Sequence, residues 1–253
     1  MTVVVAHKWA VNPQEAVVGA DGTVDLSRAK PAVSEYDPVA IEVGRRLADA
    51  LGCELVGVSV GGPDVAAPMA RKAALSRGLD RLVVVAGDAL EGAGATPTAT
   101  ALAQAVATVE DVTLVLTGDS SVDEGARLVP SVLAGLLGWP SVADVASVAV
   151  EDGALVVERA HGGGSQVLRV TGPAVLAVAA DAAVPRVAGM KDILAAGKKP
   201  VEVLEPAGPL PAAPTVVGRA PVELAARAGT RLTGDAADVA ARLVAALRAD
   251  GVL

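Results

Sequence analysis

Val112–Pro140, VTLVLTGDSSVDEGARLVPSVLAGLLGWP, presents a strand, a polar loop and a helix in immediate succession. Thr113 to Leu116 is a β-branched and aliphatic run, too short for a helix and bounded by Gly118, which predicts a buried strand. Asp119 to Asp123 supplies small polar residues that turn easily and leave backbone N–H groups facing outward. Leu128, Val132, Leu133, Leu136 and Leu137 then fall on one apolar helix face, with Asp123 and Glu124 in or before its first turn. A helix that begins where a strand ends is the repeating joint of an α/β fold.

The same joint has a chemical consequence. First-turn N–H groups have no partner inside the helix and carry the positive end of its dipole, so a phosphate there is satisfied by backbone alone. The plainer reading is that Ser120, Ser121 and Asp123 merely cap the helix. Sharper motifs are absent. A nucleophile elbow needs glycine where Val122 stands. Neither a Gly-Lys-Ser/Thr phosphate loop nor a Gly-x-Gly-x-x-Gly turn follows any strand.

Outward from this stretch, 253 residues at 52% hydrophobic and 20% charged suffice for one large domain and an appendage. A net charge of −8 argues against a nucleic-acid partner, and the absence of Phe, with one Tyr and two Trp, removes stacking platforms for single strands. The single cysteine, Cys53, and the histidines His7 and His161 are too few for a Cys/His zinc site, so no metal is expected. Val3 to Ala6 is too short for a signal-peptide core and no apolar run is long enough to span a bilayer, so a cytoplasmic protein without membrane insertion is expected.

Thr2 to Ala6 predicts a first strand buried on both faces. Val17 to Leu26 suggests a small excursion turning at Asp21-Gly22. Asp37 as N-cap and Pro38 as first helical residue predict a helix ending at Gly52. Glu54 to Val60 is the next strand, Asp64 to Ser76 a helix, Leu82 to Ala86 a third strand, Gly87 to Ala95 a loose loop, and Thr96-Pro97 the start of a helix through Val106. This alternation predicts a Rossmann-like parallel sheet with helices on both faces. After Pro140 the rhythm changes: Val142 to Val150 and Ala154 to Arg159, around Asp152-Gly153, read as an antiparallel hairpin, with a further strand at Gln166 to Val170. Pro173 to Ala180 is another buried strand. From Pro200 a Pro-rich tract with Pro206, Pro209, Pro211 and Pro214 reads as an extended C-terminal arm, ending in a helix from Asp235 to Arg248. The expected domains are residues 1–204 and an arm over residues 205–253.

The ordered set of segments resembles the small (beta) subunit of electron-transfer flavoprotein over nearly the whole chain. The residues that carry the resemblance begin with Lys8, Tyr36-Asp37 with Ala40, Ile41 and Glu42, Gly62-Pro63, and the Ala74-Leu75, Gly78, Asp80-Arg81 pattern. They continue with Gly118, Asp123, Ala134, Gly135, Leu137, Trp139 and Pro140, then Glu158-Arg159, Gly163-Gly164, Leu168-Arg169, Pro173-Ala174-Val175, Pro185-Arg186, Lys198-Lys199 and Glu202-Val203. Departures include Ser34-Glu35 in place of Asn-Pro, and Arg127-Leu128 in place of polar residues.

The resemblance implies a heterodimer with a large (alpha) subunit that holds FAD near the boundary, and AMP or a second FAD in this chain. The implied nucleotide contacts are Ala6, Ser34, Glu35, Tyr36, Asp37, Val60 and the loop Gly118, Asp119, Ser120, Ser121, Val122, Asp123, Glu124, Gly125, Ala126, Arg127, Leu128 and Val129. It further implies an electron carrier, not an enzyme with its own substrate, that passes electrons from flavin dehydrogenases such as acyl-CoA dehydrogenases to a membrane quinone reductase. Val184 to Lys191 resembles the family's docking loop, with Pro185, Arg186, Met190 and Lys191 facing the dehydrogenase. The arm after residue 204 is expected to dock on the large subunit. Two other classes stay open: a nucleotide-binding regulatory protein of similar fold, and an α/β hydrolase using Ser120 or Ser121.

Overall fold

The computed structural model describes residues 1–19, 23–212 and 229–253. In chain order these form β1 (Thr2–Ala6), β2 (Trp9–Val11), β3 (Val17–Val18), β4 (Val24–Asp25), β5 (Pro31–Val33), α1 (Asp37–Leu51), β6 (Glu54–Gly61), α2 (Pro68–Leu75), β7 (Arg81–Ala86), α3 (Ala95–Ala107) and β8 (Val112–Gly118). There follow α4 (Val129–Leu137), β9 (Ser141–Glu151), β10 (Ala154–His161), β11 (Gly164–Val170), β12 (Ala174–Val178), α5 (Met190–Ala196), β13 (Val201–Leu204) and α6 (Ala236–Ala249).

Unbroken runs of Val, Leu and Ala become the middle of a nine-stranded sheet ordered β11-β10-β9-β12-β8-β1-β6-β7-β13. From β9 across to β13 every neighbouring pair is parallel, while β10 runs antiparallel to both of its neighbours, β9 and β11. Because side chains alternate along a strand, both faces must be covered. Val3 and Val5 pack with Ile41 and Leu47 of α1 and Leu75 of α2. Val4 and Ala6 pack on the other face with Leu102 of α3 and Leu133 of α4. Each fully buried Val or Leu contributes about 1.5–3 kcal/mol, so β1, buried along its whole length, anchors both layers.

Several boundaries differ from the expectation, each for a local reason. Pro130 lies in the first turn of α4 and the helix begins at Val129, so Asp123 and Glu124 belong to the preceding loop and no acidic residue stands in that turn. Of the expected face Leu133 is buried and Val132 and Leu137 pack beside it, with Ala134 added, while Leu128 and Leu136 are exposed. Pro68 splits the expected Asp64–Ser76 helix into a 3₁₀ turn, Pro63–Ala66, and α2. Asp37 is not an N-cap: Tyr36 holds that position without a side-chain cap, and Asp37 is the buried first residue of α1. Gly52, at φ 64°, ends that helix as expected.

The hairpin is not a separate feature; it extends the main sheet through the β9–β12 pairing. Nor is the tract after Pro200 wholly an arm. Val201–Leu204 pairs with β7 at the opposite edge, the Ala207 backbone exchanges hydrogen bonds of 3.1 Å with the Gln104 side chain on α3, and Leu210 packs on the α3 and α4 layer. The Asp21-Gly22 turn and Pro214 lie outside the described residues. The chain divides into two compact units, Met1–Pro214 and Thr215–Leu253. In the second, Asp235 caps α6 by accepting the N–H groups of Ala237 and Asp238 at 3.0 and 3.1 Å.

Winding decides where loops converge. From β1 the chain proceeds one way to β6 and β7, then returns through α3 to β8 on the opposite side of β1 and on toward β12. The loops leaving β1 and β8 therefore part at their carboxyl ends and open a crevice between them.

Candidate functional site

Gly118 closes β8 against the start of α1, where a side-chain carbon would stand 2.7 Å from Asp37 Oδ1 and 2.8 Å from Tyr36 Cβ. Only glycine lets the two elements approach this closely. Asp37 uses the approach: its Oδ2 accepts the N–H of Lys8 at 2.7 Å and its Oδ1 the N–H of Gly118 at 3.3 Å. One carboxyl group thus ties together the ends of the strands that flank the crevice. Burial pushes Asp37 up to about 7, against the pull of those N–H groups and of the Lys8 charge.

Beyond this tie the crevice opens into a cleft of about 560 Å³. Its floor is the end of β1 (Ala6, His7, Lys8), of β6 (Val60, Gly61) and of β8 (Thr117, Gly118). One wall is the loop after β8 and another is Leu90–Ala95 after β7; Trp9, Ala10, Val11 and Pro31, from the β2–β5 ribbon, close a third side. The first residues of α3 and α4 line the cleft, and neither helix has a capping side chain. Pro97 and Pro130 carry no N–H, and the remaining first-turn N–H groups are left for a ligand or water.

The β8 loop is held from several directions. Ser34, 1% exposed, accepts the Val122 N–H on its hydroxyl at 3.1 Å. Lys8 Nζ lies 2.7 Å from Asp123 Oδ2. Burial alone would raise the Asp123 carboxyl, but its hydrogen bonds from Lys8 and Ser121 outweigh that and hold it below the usual range. Arg127 pairs with Asp119 within the loop and with Asp144 of β9, the latter at 2.8 Å. His7, 8% exposed, has its Nδ1 buried without a hydrogen-bond partner among the described residues, and burial lowers its pKa to about 4.

Of the expected contacts, Ala6, Asp37, Val60, Gly118 to Ser121, Asp123, Glu124 and Ala126 to Val129 all line the cleft. Ser34, Glu35, Tyr36, Val122 and Gly125 do not. Ser34 positions the loop from behind, and Glu35 instead accepts from Asn12 Nδ2 at 2.8 Å. The sequence reading missed the wall after β7, where Gly92 and Gly94 precede α3; two glycines at a strand-to-helix joint were the available signal. It also passed over His7 and Trp9. Neither Ser120 nor Ser121 is hydrogen-bonded to a histidine among the described residues; Ser121 donates instead to the Asp123 carboxylate.

The expected docking segment is presented at the surface. Val187 and Met190 are 93% and 75% exposed, Lys191 is exposed, and Pro185 is half-buried. Arg186 turns inward, its Nε donating to Glu42 Oε2 at 2.7 Å.

A parallel sheet with an uncapped, glycine-lined cleft at its switch point is common to many nucleotide binders. A family model narrows it: the electron transfer flavoprotein domain matches residues 21–209. The chain belongs to the electron transfer flavoprotein domain family. The match spans the β8 loop, the wall after β7, the hairpin and the Val184–Lys191 segment. Membership in the electron transfer flavoprotein family makes this chain part of an electron-transport system that works with flavin and with protein partners. Among the described residues no helix is long and apolar enough to cross a membrane.

Proposed function

We propose that this chain is the small (beta) subunit of a heterodimeric electron transfer flavoprotein and that its cleft holds an adenine nucleotide, either AMP or the adenylate half of a second FAD. The observation that carries the reading is the cleft, where two uncapped helix N-termini meet at the switch point of a chain of this family. The residues fit the group: backbone N–H groups at the start of α4 and α3 take phosphate, and the ends of β1 and β6 take the base and ribose. The flavin, held mainly by the large subunit, supplies the reversible uptake of electrons from flavin dehydrogenases such as acyl-CoA dehydrogenases and their release to a quinone reductase. This chain's own residues bind, orient and dock. The motif order given above favours the small subunit over the large one, and the second unit with α6 is its contact with the large subunit.

Co-expression with candidate large subunits tests the proposal. A yellow complex with a larger chain, releasing an adenine nucleotide on acid denaturation beyond that accounted for by the large subunit's FAD, is the expected result. A complex that releases none beyond it removes the nucleotide role. For docking, Met190 is the exposed first residue of α5, at the end of a loop pinned by the Arg186–Glu42 ion pair. Met190→Ala is expected to leave the melting temperature unchanged and to cost about 2 kcal/mol of affinity for the partner dehydrogenase. Early melting with unchanged affinity would place Met190 in the structure instead.

A further inference from the structure

His7, just after β1, and Arg77, just after α2, each bury one nitrogen that has no hydrogen-bond partner among the described residues. The two atoms are complementary. The His7 ring hydrogen-bonds to the Val5 backbone, which needs the ring proton on the nitrogen facing that carbonyl, so the unpartnered Nδ1 offers a lone pair. Arg77 Nε always carries its hydrogen and can only donate.

They also share one place in the fold. On β6 the missing side chain of Gly57 makes room: a carbon there would stand 2.5 Å from Leu79 Cδ1 and 3.5 Å from His7 Cε1. The ring therefore packs over Gly57 beside Leu79, whose backbone continues directly from Arg77-Gly78. Burial keeps the ring neutral, against the pull of the Val5 hydrogen bond, and the Arg77 charge adds to that effect. Burial likewise pushes the Arg77 pKa down, and no carboxylate among the described residues offsets it. Buried polar atoms are nearly always bonded, either to protein or to ordered water. A donor and an acceptor that act on each other electrostatically without being bonded are the two partners one water needs, since it gives a proton to Nδ1 and accepts from Nε–H.

We propose that one buried water joins His7 Nδ1 to Arg77 Nε, and that this bridge ties the end of α2 to the strand end at the cleft floor. The tie bears on a short, fully bonded stretch of backbone. His7 N–H donates to the Val58 carbonyl at 3.0 Å, the Ser59 hydroxyl donates to the His7 carbonyl at 2.8 Å, and the next N–H, of Lys8, goes to Asp37. His7 and Arg77 are thus positioning residues for that stretch. The site is independent of the nucleotide reading, because Arg77 does not line the cleft.

Nitrogen NMR of the full-length chain carrying isotope-labelled histidine, combined with its unlabelled partner subunit where one co-purifies, reads the bridge directly. The chain has two histidines, and the exposed His161 serves as the reference. His7 is expected to be neutral and protonated at Nε2, with its Nδ1 shift displaced toward that of a hydrogen-bond acceptor. Arg77→Met should return this shift to the free lone-pair position and leave His161 unmoved. A crystal structure of the wild type should show one water within hydrogen-bond reach of both nitrogens. In denaturant unfolding, His7→Leu and Arg77→Met should each raise the unfolding constant about 10-fold by stranding the other group, and the double variant should lose no more than either single. An Nδ1 shift indifferent to Arg77→Met, single losses that multiply in the double variant, or a direct bond between His7 and Arg77 in the crystal would each overturn the proposal.

Discussion

The two halves of the sheet use similar apolar residues and bury them unequally. Every residue of β12 is buried, whereas no residue of β11 is, and Val167 on β11 is 64% exposed. Connectivity is the cause. In the parallel half α1 joins β1 to β6, α2 joins β6 to β7, α3 joins β7 to β8 and α4 joins β8 to β9, and each of these crossovers lays a helix on the sheet. The antiparallel neighbour is reached through the tight turn at Asp152-Gly153, which brings no helix with it. The same crossovers gather their loops at one edge, so the half that is well covered is also the half that owns the cleft. Stability and ligand chemistry are thus concentrated together, and the hairpin half is left with the open surface.

The sharpest way to break this contrast is to cut a side chain from each half. Leu116→Ala, at a fully buried position of β8, is expected to cost about 2–5 kcal/mol in denaturant unfolding. If Leu116→Ala and Val167→Ala cost the same, the division between halves is wrong.

A pH series sharpens the contrast, because the buried titratable pair His7 and Asp37 belongs to the cleft half. Asp37 is raised to about 7, so the stability it contributes is full below its unfolded value near 3.8 and is lost as pH rises through 7. His7 is lowered to about 4, so its contribution is full above its unfolded value near 6.5 and is lost as pH falls toward 4. Each shift alone is worth on the order of 3 kcal/mol, and across pH 4.5 to 6.5 they oppose one another. Wild type should therefore show a shallow profile in this window. His7→Gln should become more stable as pH is lowered, and Asp37→Asn less stable. Parallel profiles for wild type and both variants would show that neither group is buried as described.

Gly118→Ala puts a methyl group against Asp37 and Tyr36 and should cost about 1–3 kcal/mol, with weaker nucleotide binding. Gly135→Ala, in α4 with open space where the carbon would go, should instead stabilise by roughly 0.5–1 kcal/mol. Melting temperatures moving in the same direction would refute the close approach at Gly118. Smallest of all, Val167→Ala on β11 should change stability by no more than about 0.5 kcal/mol.

Much of the parallel half was legible in the sequence. Strands buried on both faces advertise themselves as short unbroken aliphatic runs, and the ends of α1 and α4 fall at Gly52 and Gly138, both at left-handed φ. The misread starts were legible too. Pro68 and Pro130 mark first turns, and at α4 the proline locates the start better than the acidic residues before it. The cleft was half visible: the β8 loop followed from its strand-to-helix joint, while the wall after β7 passed for a loose loop because nothing local says which loops will share an edge.

The sequence by itself determined which segments are strands and helices and that they alternate, because periodicity and turn chemistry act within a few residues. Only the tertiary structure decided the fate of Asp37, whose partners lie 29 and 81 residues away and convert an apparent helix cap into a buried tie. It likewise decided that Val201–Leu204, four residues among prolines, is a strand, since an edge strand is defined by the β7 backbone it bonds to. Arg127 is the same kind of case. Its charge is written in the sequence, but the direction of its guanidinium depends on Asp144, 17 residues further on in another element. Hydrogen bonds between distant segments exist only once packing has brought their donors and acceptors within reach.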